Sequence, residues 1–178
     1  AQAHGARTLI TAGAVQSNHC RQTAAAAAKF GFDCTLVLTG EQPKQASGNL
    51  FLDHLLGANI VWTEGQSREK ILQATYDRLL DQGKEPYLIP YGGSSPTGAI
   101  AYALAMQEFI NQNLHADWIV IASSSGGAQA GMVLGAKLFG FQGRILGISI
   151  DEPADILRER VAMLATASAI QLGATASF

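Results

Sequence analysis

Two short segments of this 178-residue chain set hydrogen-bonding groups just where a helix is about to begin. The first is Ser123-Ser-Ser-Gly-Gly-Ala-Gln-Ala-Gly131. The apolar, β-branched run Trp118-Ile-Val-Ile-Ala122 precedes it and reads as a buried parallel strand. Met132-Val-Leu-Gly-Ala-Lys-Leu-Phe139 follows and reads as a helix that starts after Gln129. Free N–H groups gather at a helix start and the helix dipole favours negative charge, so such a turn suits an anion. Gly126, Gly127 and Ala128 would let a phosphate approach the main chain closely. The same residues also suit a tight strand-to-helix turn with nothing bound.

The second segment, Ala12-Gly-Ala-Val-Gln-Ser-Asn-His-Cys-Arg-Gln22, again joins a strand to a helix. Gln16, Ser17, Asn18 and His19 put four polar side chains in succession at the carboxyl end of a strand, the edge where open α/β sheets bind ligands. Ser17 or Asn18 could serve simply as the N-cap of the helix that follows. A cap needs only one of the four, and a ligand would partner the others.

Other chemistries lack their residues. No Gly-Lys-Ser/Thr follows the first turn, which excludes a P-loop. Glycines 126, 127 and 131 do not form G-x-G-x-x-G, and no acidic residue near position 146 could hold a ribose. A phosphosugar or nucleotide binder is thereby weakened. Histidines 4, 19, 54 and 115 have no metal-ligand spacing, so no metal site is expected. Gly93-Ser-Ser-Pro-Thr-Gly98 has the wrong spacing for a nucleophile elbow. Asp151-Glu152 reads as a solvated pair at a strand end, and Met132 and Met163 as core filler.

The elements that must position these segments alternate strand and helix. Strands are expected at 8–11, 34–38, 59–62, 86–90, 118–122 and 145–150. Helices are expected at 18–30, 47–56, from Ser67 through Asp81, from Pro96 to about Asn113, after Gln129, and from Pro153. Such βα repetition implies an α/β fold of open parallel sheets with helices on both faces. The seam falls at Gly92-Gly93-Ser94-Ser95, giving a smaller α/β domain at 1–93 and part of a larger one at 94–178.

Bulk properties agree. A chain 48% hydrophobic and 15% charged can build a sizeable core. A net charge of −2 with no basic run argues against nucleic acid, and no apolar stretch is long enough to span a bilayer. Cys20 and Cys34 lack C-x-x-C or zinc spacing and read as buried thiols of a cytoplasmic protein.

Three segments together carry a resemblance: residues 12–25 with Gln-Ser-Asn-His, Ile89-Pro-Tyr-Gly-Gly-Ser-Ser95, and Ile121 through Gly131. They resemble the D-cysteine desulfhydrase and 1-aminocyclopropane-1-carboxylate deaminase family, in matching order over nearly the whole chain. The resemblance implies the tryptophan-synthase-β-like fold (fold type II) and pyridoxal 5′-phosphate as cofactor. It implies a lyase or deaminase acting on a small amino acid, which in the desulfhydrase case releases sulfide, ammonia and pyruvate, and a homodimer. Ser125, Gly126, Gly127 and Ala128 correspond to the family's phosphate cup, with Ala128 where a hydroxyl residue is usual. Asn18 matches the asparagine that hydrogen-bonds the cofactor's phenolic oxygen. Ser17 matches the serine near the substrate, a candidate for proton handling. His19 stands where desulfhydrases tend to have His and deaminases Gln, so Ser17, Asn18 and His19 together form the expected substrate side.

One departure is plain. The family carries its Schiff-base lysine in a Gly-Asn-Lys-like segment ahead of Gln-Ser-Asn, whereas the lysines here are 29, 44, 70, 84 and 137. The expectation is therefore an internal portion of a longer enzyme, incomplete at both ends, or a truncated inactive relative. A non-catalytic domain that keeps the phosphate or cofactor cup remains the alternative.

Overall fold

The computed structural model describes residues 1–176 and Phe178. The chain forms two compact units, Ala1–Gly92 and Gly93–Phe178.

In the first unit, β1 (Thr8–Ala14), β2 (Asp33–Thr39), β3 (Asn59–Trp62) and β4 (Pro86–Leu88) form a parallel sheet of order β3-β2-β1-β4. Helices α1 (Asn18–Phe30), α2 (Gly48–Leu55) and α3 (Arg68–Asp81) connect them. Central β1 is buried from Thr8 through Gly13, as a parallel strand covered on both faces must be. Its two buried hydroxyls are satisfied: Thr8 Oγ1 donates to the Lys84 carbonyl and Thr11 Oγ1 to that of Ile89, each at 2.9 Å. Leu36, Val37 and Leu38 of β2 are fully buried, and each such side chain contributes about 1.5–3 kcal/mol.

Helix α1 buries Cys20, Thr23, Ala24 and Ala27, an i, i+3, i+4, i+7 stripe of small residues that seats the helix close to the sheet. It ends at Gly31, whose N–H donates to the Ala27 carbonyl. Helix α3 starts at Ser67, whose Oγ accepts the Lys70 N–H, as its sequence implies.

The second unit pairs β5 (Trp118–Ser123) with β6 (Arg144–Ser149) in parallel, alongside α4 (Pro96–Asn111), α5 (Gly127–Phe139) and α6 (Ala154–Gln171). Helices α4 and α5 meet through small residues. A Cβ on Gly131 would collide with the Ala99 carbonyl, and one on Gly135 would stand 2.7 Å from Met106 Cβ. One face of the β5–β6 pair carries Trp118, Val120, Leu146 and Ile148, all exposed.

Several boundaries differ from expectation. β1 runs on to Ala14, through Ala-Gly-Ala residues that carry no β-branched signal. Helix α5 begins at Gly127 rather than after Gln129, because Gly126 takes the left-handed φ of 84° that turns the chain directly into the helix. Met163 is 66% exposed rather than core, while Met106 is buried.

Candidate functional site

In the first unit, the segment from Gly13 to His19 leaves the carboxyl end of β1 and enters α1. Ser17 is the N-cap, its Oγ accepting the Cys20 N–H at 3.1 Å. Gly13 makes room for this cap: a Cβ there would lie 2.6 Å from Cys20 Sγ and 2.9 Å from Ser17 Oγ. Burial pushes the Cys20 thiol up to about 11 and the Cys34 thiol up to about 12, so both stay protonated and inert near neutrality.

His19 Nε2 lies 2.8 Å from Thr11 Oγ1. Thr11 has a single hydroxyl hydrogen, which it donates to Ile89. Its oxygen must therefore accept from His19, fixing the ring with its proton on Nε2 and leaving Nδ1 as an acceptor. Burial lowers the His19 pKa below 6.5, which favours this neutral form.

Gln16 and Asn18 are tied to α2. Gln16 Nε2 donates to the Ser47 carbonyl at 3.0 Å, and Gln16 Oε1 accepts the Asn49 N–H at 2.8 Å. Ser47 makes no side-chain cap, so Gln16 supplies the acceptor for the first turn of α2. Gly48 lets this carboxamide approach, since a Cβ there would stand 2.5 Å from Gln16 Oε1. Asn49 Nδ2 then donates to the Gln16 carbonyl at 2.9 Å and to Asn18 Oδ1 at 3.1 Å. Each of the four polar residues thus has a protein partner. The expectation that three of them would need a ligand for that purpose is corrected.

In the second unit, Ser123, Ser124, Ser125 and Gly126 join β5 to α5. Ser94 locks this turn from the side, donating to Ser125 Oγ at 2.7 Å and accepting the Gly127 N–H at 3.1 Å. Gly127 therefore shapes the turn but has no N–H to offer, which modifies its expected part in the cup. Among the described residues, the N–H groups of Ser125, Gly126, Ala128 and Gln129 make no hydrogen bond, whereas that of Ala130 bonds the Gly126 carbonyl. Four donors at one helix start, with its dipole behind them, form a place for a dianion. Gln129, whose side chain lies over Gly147 of β6, keeps a buried Oε1 with no partner among the described residues.

Asp151 and Glu152 are not a merely solvated pair. Asp151 accepts from Ser124 Oγ at 3.0 Å, and Glu152 pairs with Arg160 at 2.8 Å. Arg160 Nη1 also donates to the Ser124 carbonyl at 3.4 Å, so this network braces the turn. A cavity of about 740 Å³ lined by Trp118, Phe141 and Arg144 opens at the other end of β5 and β6.

A family description of pyridoxal-phosphate dependent enzymes matches residues 1–176. The chain belongs to that family. It is 36% identical over 180 residues to a D-cysteine desulfhydrase of Yersinia pestis (strain Pestoides F), covering 96% of this chain and 54% of that protein. It is also 36% identical, over 168 residues, to a Pyrococcus abyssi (strain GE5 / Orsay) protein provisionally named 1-aminocyclopropane-1-carboxylate deaminase, covering 90% of this chain and 50% of that one. Among solved structures, an ACC deaminase homologue superimposes with a TM-score of 0.88 at 32% identity, over 99% of this chain and 55% of that chain. A pyridoxal 5′-phosphate-dependent aspartate racemase, 19% identical with a TM-score of 0.66, shares the fold. The chain spans about half the length of the curated relatives it matches.

The family's cofactor is pyridoxal phosphate. The residues present fit its phosphate, because the unpaired N–H groups at the start of α5 can receive a dianion without breaking a bond. Ser94 and the Asn49–Gln16 pair were not legible as site residues. Gly48-Asn49 and Gly93-Ser94 looked like an ordinary helix start and a seam, since the partners lie 31 to 33 residues away in sequence.

Proposed function

We propose that the protein containing this chain is a pyridoxal-phosphate dependent lyase or deaminase of a small amino acid, D-cysteine desulfhydrase-like or aminocyclopropane carboxylate deaminase-like. The cofactor, when bound, supplies an electron sink that stabilises charge at the substrate's α-carbon. The chain's own residues hold and orient it. Ser125, Gly126, Ala128 and Gln129 give main-chain N–H groups to the phosphate, and Gly127 permits the approach. Asn18 donates to the phenolic oxygen. Ser17, the N-cap of α1, stands on the substrate side as the candidate for proton handling. His19 presents its Nδ1 acceptor there, and the histidine leans the reading towards desulfhydrase.

The observation that carries this reading is the set of unpaired N–H groups behind a left-handed Gly126. Calorimetry of the chain with pyridoxal 5′-phosphate tests it. Saturable heat is expected, and Ala128→Asp abolishes it while leaving the helix intact, because an acidic residue suits a helix start. No saturable heat in the unsubstituted chain overturns the reading. Substrate choice is then read on the whole protein, as sulfide from D-cysteine or ammonia from 1-aminocyclopropane-1-carboxylate.

A cytoplasmic homodimer belongs to the same proposal and is supported by the resemblance. A second reading, a non-catalytic phosphate-binding domain, is favoured by the protein partner that each of Gln16, Ser17, Asn18 and His19 already has. Phosphate binding without turnover in the whole protein would establish it.

A further inference from the structure

We infer that Asn49 is a positioning residue: it sets the orientation of the Asn18 carboxamide so that its NH2 group, rather than its oxygen, faces the ligand. The inference rests on the functional reading above and extends it to a residue outside the Gln-Ser-Asn-His segment.

The atoms around Asn49 can each play only one role. The Gln16 main-chain carbonyl is an acceptor and nothing else. Asn49 touches it at 2.9 Å and must present Nδ2, which fixes the Asn49 amide without ambiguity. The same Nδ2 reaches Asn18 at 3.1 Å. A donor there obliges Asn18 to answer with Oδ1. The two hydrogens of the Asn18 NH2 group are then turned away from Asn49, and they make no hydrogen bond among the described residues. An anionic oxygen of a ligand would meet a donor, with no rotation left to arrange.

Asn49 is itself held firmly. Its main-chain N–H bonds Gln16 Oε1 at 2.8 Å, and Gly48, with φ of 55°, brings the chain close enough for that contact. The next residue, Leu50, is buried to 1% exposure and anchors α2 in the core. The Gly48-Asn49 pair thus transmits a fixed orientation from the rigid core to the exposed Asn18.

Asn49→Asp tests this with almost no change of shape. Two acceptor oxygens would face the Gln16 carbonyl and Asn18, so Asn18 would turn its NH2 inward and its oxygen outward. Folding should persist, since the main-chain bond to Gln16 survives and an acid suits the first turn of α2. Pyridoxal 5′-phosphate is titrated into the chain, and the ionisation of its phenol is followed by absorbance against pH. In Asn49→Asp, affinity should fall roughly tenfold or more, the range of a hydrogen bond to a charged group, and the ionisation midpoint should rise. Asn18→Ala should move both in the same direction, and the double variant should be no worse than Asn18→Ala alone. Unchanged affinity and midpoint in Asn49→Asp, with Asn18→Ala still affected, overturns the inference and spares the functional reading. No effect of Asn18→Ala, or no binding at all, removes both. A measurement without cofactor adds a separate check: the Asn18 side-chain NH2 should exchange rapidly with solvent, and become protected in Asn49→Asp. A protected Asn18 NH2 in the unsubstituted chain overturns the inference.

Discussion

A Cβ added to Gly127 would stand 2.5 Å from Ser94 Oγ and 2.9 Å from Ser94 Cα. The main chain at Ser94 therefore occupies the space any side chain at 127 would need, and the serine hydroxyl binds both Gly127 and Ser125. Gly127→Ala should destabilise the second unit by about 1–3 kcal/mol, the cost of overpacking, and weaken phosphate binding with it. Ser94→Ala should cost less, about 1–2 kcal/mol, since it removes two hydrogen bonds and leaves the shape intact. Urea unfolding and phosphate calorimetry on the two variants check the order.

Thr11→Val should release the tautomer of His19. The unsubstituted ring is expected to show its proton on Nε2 in nitrogen NMR. The variant leaves Nε2–H without its acceptor and should show a mixed population, with a stability loss of about 1–3 kcal/mol. A pure Nε2-protonated ring in Thr11→Val would contradict the assignment.

The pH dependence of stability carries a sign. Asp53 is fully buried, with neither carboxylate oxygen partnered among the described residues. Burial raises its pKa from 3.8 to about 6, against smaller pulls from His54 and Arg21. Its contribution is therefore fully present below pH 3.8 and lost as pH rises through about 6, where the unfolded chain is ionised and the folded one resists it. Between acid and pH 8, the unsubstituted protein should lose on the order of 3 kcal/mol more stability than Asp53→Leu does. His19 runs the other way, its contribution being present above 6.5 and lost as pH falls below that value. Parallel stability curves for Asp53→Leu and the unsubstituted protein would refute the assignment.

Thiol alkylation at pH 8 should be at least about a hundredfold slower in the folded protein than in urea, with Cys34 no faster than Cys20, because burial keeps both thiols protonated.

The sequence was most legible where local chemistry decides structure. Helix α1 from Asn18 to Phe30 has a serine cap and a glycine stop, and β3 from Asn59 to Trp62 an apolar run between a glycine and polar residues. The start of α5 is not legible in the sequence, because Gly126-Gly127 looks the same whether it ends a loop or opens a helix. Only the left-handed Gly126 separates the two. Within the site, residue type exposed the polar run at 16–19 but not its partners. Asn49 and Ser47 come to it through sheet topology, and spacing along the chain carries no trace of such pairings. Asp151 is hidden for the same reason, since β6 returns it to Ser124 across 27 residues, while Glu152 finds Arg160 on the helix that follows.

Protein engineers who splice relatives together inherit a constraint from the Gln16–Asn49 strap. Residues 13–19 and 47–49 form one transplantable module. Chimeras that exchange both should retain a preset donor, and those that exchange either alone should leave it pointing the wrong way.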